Sequence, residues 1–196
     1  VIKLTVTGGV LSLAKSGDNP QFTDEELAAI VETARDYNYV VAVHAHGVVG
    51  MKRAIRAGVH SVEHGSQMDA EAMRLMKKHE TVFVPTLSAA FFVGQKAQIP
   101  GFLPDIVRPK AIQMSALAQG TFAEAYKSGV KIAFGTDAGV FDHGMNAKEF
   151  ELMYMAGMPT IETIQAATIS AAELLRIADQ LGSIEVGKLA DIVAVK

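Results

Sequence analysis

A chain of 196 residues with 49% hydrophobic side chains is long enough to bury the core of one ordinary domain, and no stretch of it reads as disordered. Its formal charge of -3 comes from interspersed acids and bases, so no basic stripe is offered to nucleic acid. Its apolar runs, such as 39–43, fall far short of the ~20 residues that cross a membrane. The absence of cysteine removes disulfides, thiolate metal sites and cysteine nucleophiles together.

Any metal must therefore be held by histidine, carboxylate or something less usual. These features describe a soluble domain with neither nucleic acid nor membrane as a partner. They leave homo-oligomerisation open and suit the cytoplasm and the periplasm equally. The first residues, 1–7, read as a strand and not as a signal peptide.

In chain order, β-rich runs alternate with amphipathic helical stretches, the pattern of βα units in a parallel sheet. Run 1–7 ends at Gly8-Gly9. Thr23 followed by Glu26 makes a capping box for a helix reaching about Tyr37. A strand at 39–44 leads to a helix at 49–57, whose Lys52, Arg53 and Arg56 read as a solvated face. Next come a strand at 60–64, a helix at 70–78 and a strand at 81–85. Segment 86–104, with Phe91, Phe92, Gly94, Pro100 and Gly101, is long for a connection and is expected to be a working loop, a lid over a site. A helix over 105–128 leads to a fifth strand at 130–134, closed by Gly135-Thr136-Asp137-Ala138-Gly139. Helices at 147–156 and 160–178 follow. The run 182–196, punctuated by Gly182 and Gly187, reads as the start of a separate small sheet after a 1–181 α/β part.

Five βα units do not close a barrel, which takes eight. The alternatives are an open doubly wound sheet and a barrel whose other strands lie outside this sequence. Neither G-x-G-x-x-G nor G-x-x-x-x-G-K-[ST] occurs at a strand end, which favours the barrel.

Polar residues fall at the strand C-termini, where barrel enzymes place their chemistry: Lys3, His44 and His46, His64, and Asp137. Alternation along a strand points His44 and His46 the same way. A lone buried histidine is more often a hydrogen-bonded core residue than a ligand. Three of six histidines at two successive strand ends, with an aspartate after a third, weigh against that and suit zinc or a similar divalent ion. Lys3 on a strand reads either as a lysine snorkelling to water near a chain end or as a neutral amine able to become a carbamate. His143 follows Asp137 on a loop, within reach of the same strand-end mouth. His60 and His79 read as structural, and the nine methionines as packing.

The ordered set Ile2-Lys3-Leu4-Thr5-Val6-Thr7-Gly8-Gly9-Val10-Leu11-Ser12, His44-Ala45-His46-Gly47, Glu63-His64-Gly65, Phe134-Gly135-Thr136-Asp137-Ala138 and the closing Gly182-Ser183-Ile184-Glu185-Val186-Gly187-Lys188-Leu189-Ala190-Asp191-Ile192 resembles the amidohydrolase superfamily. It looks most like the branch of Xaa-Pro dipeptidases (prolidases) and imidazolonepropionase-like enzymes, over essentially the entire chain. The resemblance implies a (β/α)8 TIM barrel of the metal-dependent hydrolase type, represented by about its last five units, with 182–196 contributing to an accessory β-sandwich.

It also implies two divalent ions, zinc by expectation, held by Lys3 as a CO2-derived carbamate, His44, His64 and Asp137. Asp137 would move the proton, and His46, with His143 ranked below it, would meet the substrate. The implied activity is hydrolysis of an amide, an Xaa-Pro dipeptide or a related N-acyl amino acid, through a metal-bridged hydroxide. The first-strand His-x-His pair that this family uses has no counterpart here. Two alternatives stand beside this: a mononuclear cyclic-amide hydrolase or deaminase of the imidazolonepropionase-like kind, and a non-catalytic partial barrel.

Overall fold

The computed structural model describes residues 1–14 and 16–194; residues 195–196, the end of the expected accessory strands, lie outside them. Four parallel strands, β1 (Ile2–Thr5), β2 (Val41–Ala45), β3 (Ser61–His64) and β4 (Val82–Val84), pair in sequence order. The register sets Lys3 beside Ala42, Thr5 beside His44, and His44 beside Glu63. The expected fifth strand is reduced to a bridge between Phe83 and Ile132, with Phe83 N–H donating to Lys131 O and Ala133 N–H to Phe83 O. It still extends the sheet in the expected direction.

Alternation divides this sheet into two unlike faces. Val41, Val43, Ala45, Val62 and Phe83 are fully buried against the outer helices. These are α1 (Asp24–Asp36), α2 (Val48–Ala57) and α3 (Ala70–His79), which contribute Leu27, Val31, Met51, Ile55 and Met76 to one continuous core. Lys3, Thr5, Ala42, His44 and Glu63 take the opposite face and are exposed or half-buried. Burying the first set drives the sheet and helices together, at roughly 25 cal/mol per Å² of apolar surface removed from water. The second set is left free for chemistry. The capping box at Thr23 and Glu26 is present, with the Thr23 hydroxyl accepting from Glu26 N–H and the Glu26 carboxylate from Thr23 N–H.

Segment 86–104 is not the lid loop its length suggested. Leu87–Ala97 is a helix, α4, lying against α5 (Arg108–Lys127). Gly94, read in the sequence as a loop signal, is the residue that lets the two helices meet. A Cβ there would lie 2.6 Å from the Ser115 hydroxyl. The remaining helices are α6 (Lys148–Met155), α7 (Thr160–Ala167) and α8 (Ile169–Leu174). The last two were expected as a single helix and are separated by Thr168 at φ -119°, ψ -94°. Residues 182–194 form no strand among the described residues. Among the described residues, no helix is long and apolar enough to cross a membrane.

Candidate active site

The three strand-end histidines meet. His44 and His64 rings are centred 4.6 Å apart, His44 and His46 also 4.6 Å, and His46 and His64 5.0 Å. His44, the fourth residue of β2, stands on the open face with its Nε2 3.3 Å from Gly8 O. His46 lies just past the strand, only 6% exposed. Its backbone N–H donates to Thr7 Oγ1 (2.9 Å), and its Nδ1 is 3.0 Å from Ser66 Oγ. The next residue has to be glycine, because a Cβ on Gly47 would sit 2.0 Å from the Asp18 carbonyl.

His64 arrives differently. Simple alternation from Val62 would turn it towards the helices, as its register partner Ala45 is turned. Instead it has φ +71°, and its Nδ1 meets Thr86 Oγ1 at 2.7 Å. Thr86 and Asp137 are also left-handed, at +50° and +55°. The other non-glycine residues with positive φ, Asn38, Glu80 and Arg176, all follow helix ends, where that conformation commonly closes a helix. Left-handed backbone at three successive strand ends is strain gathered at one rim, as happens where side chains must be aimed.

A cavity of about 220 Å³ opens beside these groups. His44, His46, His64, Ser66 and Asp137 line it together with the apolar Val10, Leu11, Ala89, Val93, Met114 and Val140. Burial lowers the pKa of all three imidazoles, that of His46 to about 3, so each is neutral with a lone pair to offer. Asp137 is open at the rim. The packing it has raises its pKa, and the Lys3 ammonium opposes that rise. The same ammonium also lowers His44 and His64, in each case less than burial does.

Lys3 itself is half exposed. It reaches over the small Ala42 to pair with the Glu63 carboxylate, which also accepts from Ser61 Oγ at 2.5 Å. His44, His46, His64 and Asp137 thus meet at one rim, whereas Lys3, expected at a strand C-terminus, is the second residue of β1, beside Ala42 and outside the cavity lining. His143 lies exposed on the loop after Asp137, outside the cavity lining. Thr86, Ser66 and Glu63 were given no role in the sequence, although Glu63 stands beside His64 in the same short motif and Ser66 directly follows it.

The profile of the amidohydrolase family matches residues 1–196. The chain belongs to the amidohydrolase family. Aspergillus niger ochratoxinase is 34% identical over all of this amidohydrolase chain and 40% of its own length. A Nematostella vectensis protein described as a probable imidazolonepropionase is 27% identical over 89% of the chain. Among solved structures, a Xaa-Pro dipeptidase with methionine bound in its active site superposes with a TM-score of 0.95 at 61% identity, covering 96% of this chain and 47% of that one. The ochratoxinase crystal structure superposes at 0.85, covering 97% and 43%. The amidohydrolase chain therefore spans less than half the length of these relatives, and it holds part of their barrel.

Amidohydrolases generally use divalent metal ions. The donor set of this chain suits one: neutral imidazoles and a carboxylate are the groups that borderline divalent ions take. Thr86 and Ser66 occupy Nδ1 of His64 and His46, fixing the ring orientations as hydrogen-bond partners of metal-binding histidines do. Among the described residues, no three His, Asp or Glu groups already surround a single point.

Proposed function

We propose that this chain forms the C-terminal part of a metal-dependent amidohydrolase that cleaves an amide bond, in an Xaa-Pro dipeptide or a related N-acyl amino acid. The observation that carries the reading is the convergence of three neutral histidines and Asp137 on one mostly apolar cavity. His44, His64 and Asp137 would hold metal, with Lys3 as a carbamate if two ions are bound. Residues 182–194 would join the accessory sandwich.

A bound divalent ion supplies Lewis acidity and brings the pKa of water from 15.7 towards ~7. The rest falls to the side chains. Asp137, with its pKa raised by partial burial, accepts the proton of the attacking water and returns it to the leaving nitrogen. His46 directs a ring N–H at the scissile carbonyl oxygen when the Ser66 hydroxyl donates to its other nitrogen. The apolar wall takes the hydrophobic part of the substrate and excludes water from the carbonyl.

The full-length polypeptide is expected to hydrolyse Xaa-Pro dipeptides or N-acyl amino acids in a chelator-sensitive manner, followed by amine release across a substrate panel. No chelator-sensitive cleavage of any amide would end this reading.

One observation favours the one-metal alternative, a cyclic-amide hydrolase or deaminase. Lys3 is held by Glu63, and a carbamate at that position would set two anions side by side. Lys3→Ala separates the readings. With two ions, the variant loses about one metal equivalent and roughly 10²-fold or more in kcat/KM, partly restored by short carboxylic acids. Two retained equivalents and an unchanged rate would leave Lys3 with Glu63 as a plain ion pair.

A further inference from the structure

Lys110 is a buried lysine with no part in the chemistry above. It is 7% exposed in the first turn of α5, where the helix dipole disfavours a cation. Its ammonium donates to three main-chain carbonyls, Gly9 O at 3.4 Å, Ser12 O at 2.7 Å and Ala14 O at 2.6 Å. All three donors of the ammonium go to one loop. That loop leaves the C-terminal end of β1 and supplies Val10 and Leu11 to the cavity wall, to which α5 also supplies Ala111 and Met114. Val10 packs on a small separate cluster of Val93, Ala97 and Ala111. Among the described residues, the hydrogen bonds within the loop are those of Ser12 N–H and Oγ, both returning to Gly9 O. A second lysine, Lys96 of α4, holds Val140 O of the loop after Asp137 at 3.1 Å.

We propose that Lys110 is a specificity-determining positioning residue, whose ammonium fastens loop 9–14 to α5 so that Val10 and Leu11 stand as a fixed apolar wall selecting a substrate with a sizeable hydrophobic group. The substrate side of this rests on the amide-hydrolase reading, whereas the fastening does not. The physical reason is preorganisation. A wall held before binding does not have to be ordered by the substrate, so the apolar group keeps more of its burial free energy as affinity. A lysine whose only role is to support the fold would affect all ligands alike.

The test uses the full-length polypeptide with Lys110→Met, Lys110→Arg and Val10→Ala. Hydrogen exchange at the amides of 9–14, without ligand, is expected to quicken about tenfold or more in K110M and to stay near wild type in K110R. Binding of N-acetyl-L-methionine, measured by calorimetry whether or not it is cleaved, weakens about tenfold in K110M, while that of N-acetylglycine changes by less than twofold. For a cleaved apolar amide, KM rises and kcat holds. V10A, which leaves the fastening intact, lowers the same discrimination and keeps the proposal testable should K110M fail to fold.

Unchanged exchange in K110M overturns the proposal, as does equal weakening for both ligands or a fall in kcat at constant KM. A wild-type protein that cleaves no amide refutes the proposed function alone, and the exchange and binding measurements still decide this one.

Discussion

Glu149→Ala is expected to destabilise the protein by about 3–5 kcal/mol, the largest stability effect of any single polar side chain here. Glu149 is fully buried at the start of α6, and its carboxylate accepts from Leu87 N–H at 2.8 Å and Ser88 N–H at 2.6 Å, the first two residues of α4. Removing it orphans two buried donors at roughly 1–3 kcal/mol each and leaves a cavity. The same contact fixes Thr86, the residue before α4, whose hydroxyl orients His64.

Burial raises the Glu149 pKa from 4.5 to about 7, the two backbone N–H groups opposing this only in part. Between those values the folded protein holds a proton that the unfolded chain has lost. The stability from this group is therefore full below about pH 4.5 and falls as pH rises through about 7, by about 3 kcal/mol in all. The buried histidines work in the opposite sense. Their lowered pKa values favour the folded state above pH 6.5 and cost it stability as pH falls below that. Denaturant unfolding of wild type and Glu149→Gln at pH 5 and pH 8 isolates the carboxyl. The variant should lose its disadvantage relative to wild type on going from pH 5 to pH 8, and a constant gap across that range would rule out the protonated carboxyl.

Glu149 also shows what kind of information was missing from the sequence. It lies in an ordinary helical stretch, with no motif around it, and its partner helix was taken for a loop because Phe91, Phe92 and Gly94 look like loop punctuation when read locally. Gly94 is small because α5 passes over it, a fact about a neighbour 21 residues away. The strand ends were legible for the opposite reason: each carries its polar group in a short, ordered motif, and the alternation of the parallel strands fixes which face His44 takes. His64 was placed at the right rim for an incomplete reason, since the left-handed turn that aims it leaves no trace that alternation can read. His143 shows the converse, a histidine near the site in sequence but exposed on a loop outside the cavity.

On the proposed function, His64→Asn should lower kcat/KM of the full-length polypeptide by roughly 10³-fold, about 4 kcal/mol of transition-state stabilisation, with little loss of fold. Asparagine is chosen for the backbone. At φ +71° alanine would add strain, whereas asparagine tolerates the left-handed region, so the variant removes the imidazole and keeps the turn. Three features make the ring costly to lose. It touches both other histidines, Thr86 holds its Nδ1 so that the remaining nitrogen is presented in a fixed direction, and its burial keeps it neutral. Thr86→Val, which keeps the shape and deletes the hydroxyl, should give an intermediate loss of about 10–100-fold, together with weaker metal retention on dialysis. His143→Ala should change neither property. If His64→Asn kept its metal content and rate while remaining folded, the histidine cluster would be a packed core feature, and the chemistry would have to be sought elsewhere on the rim.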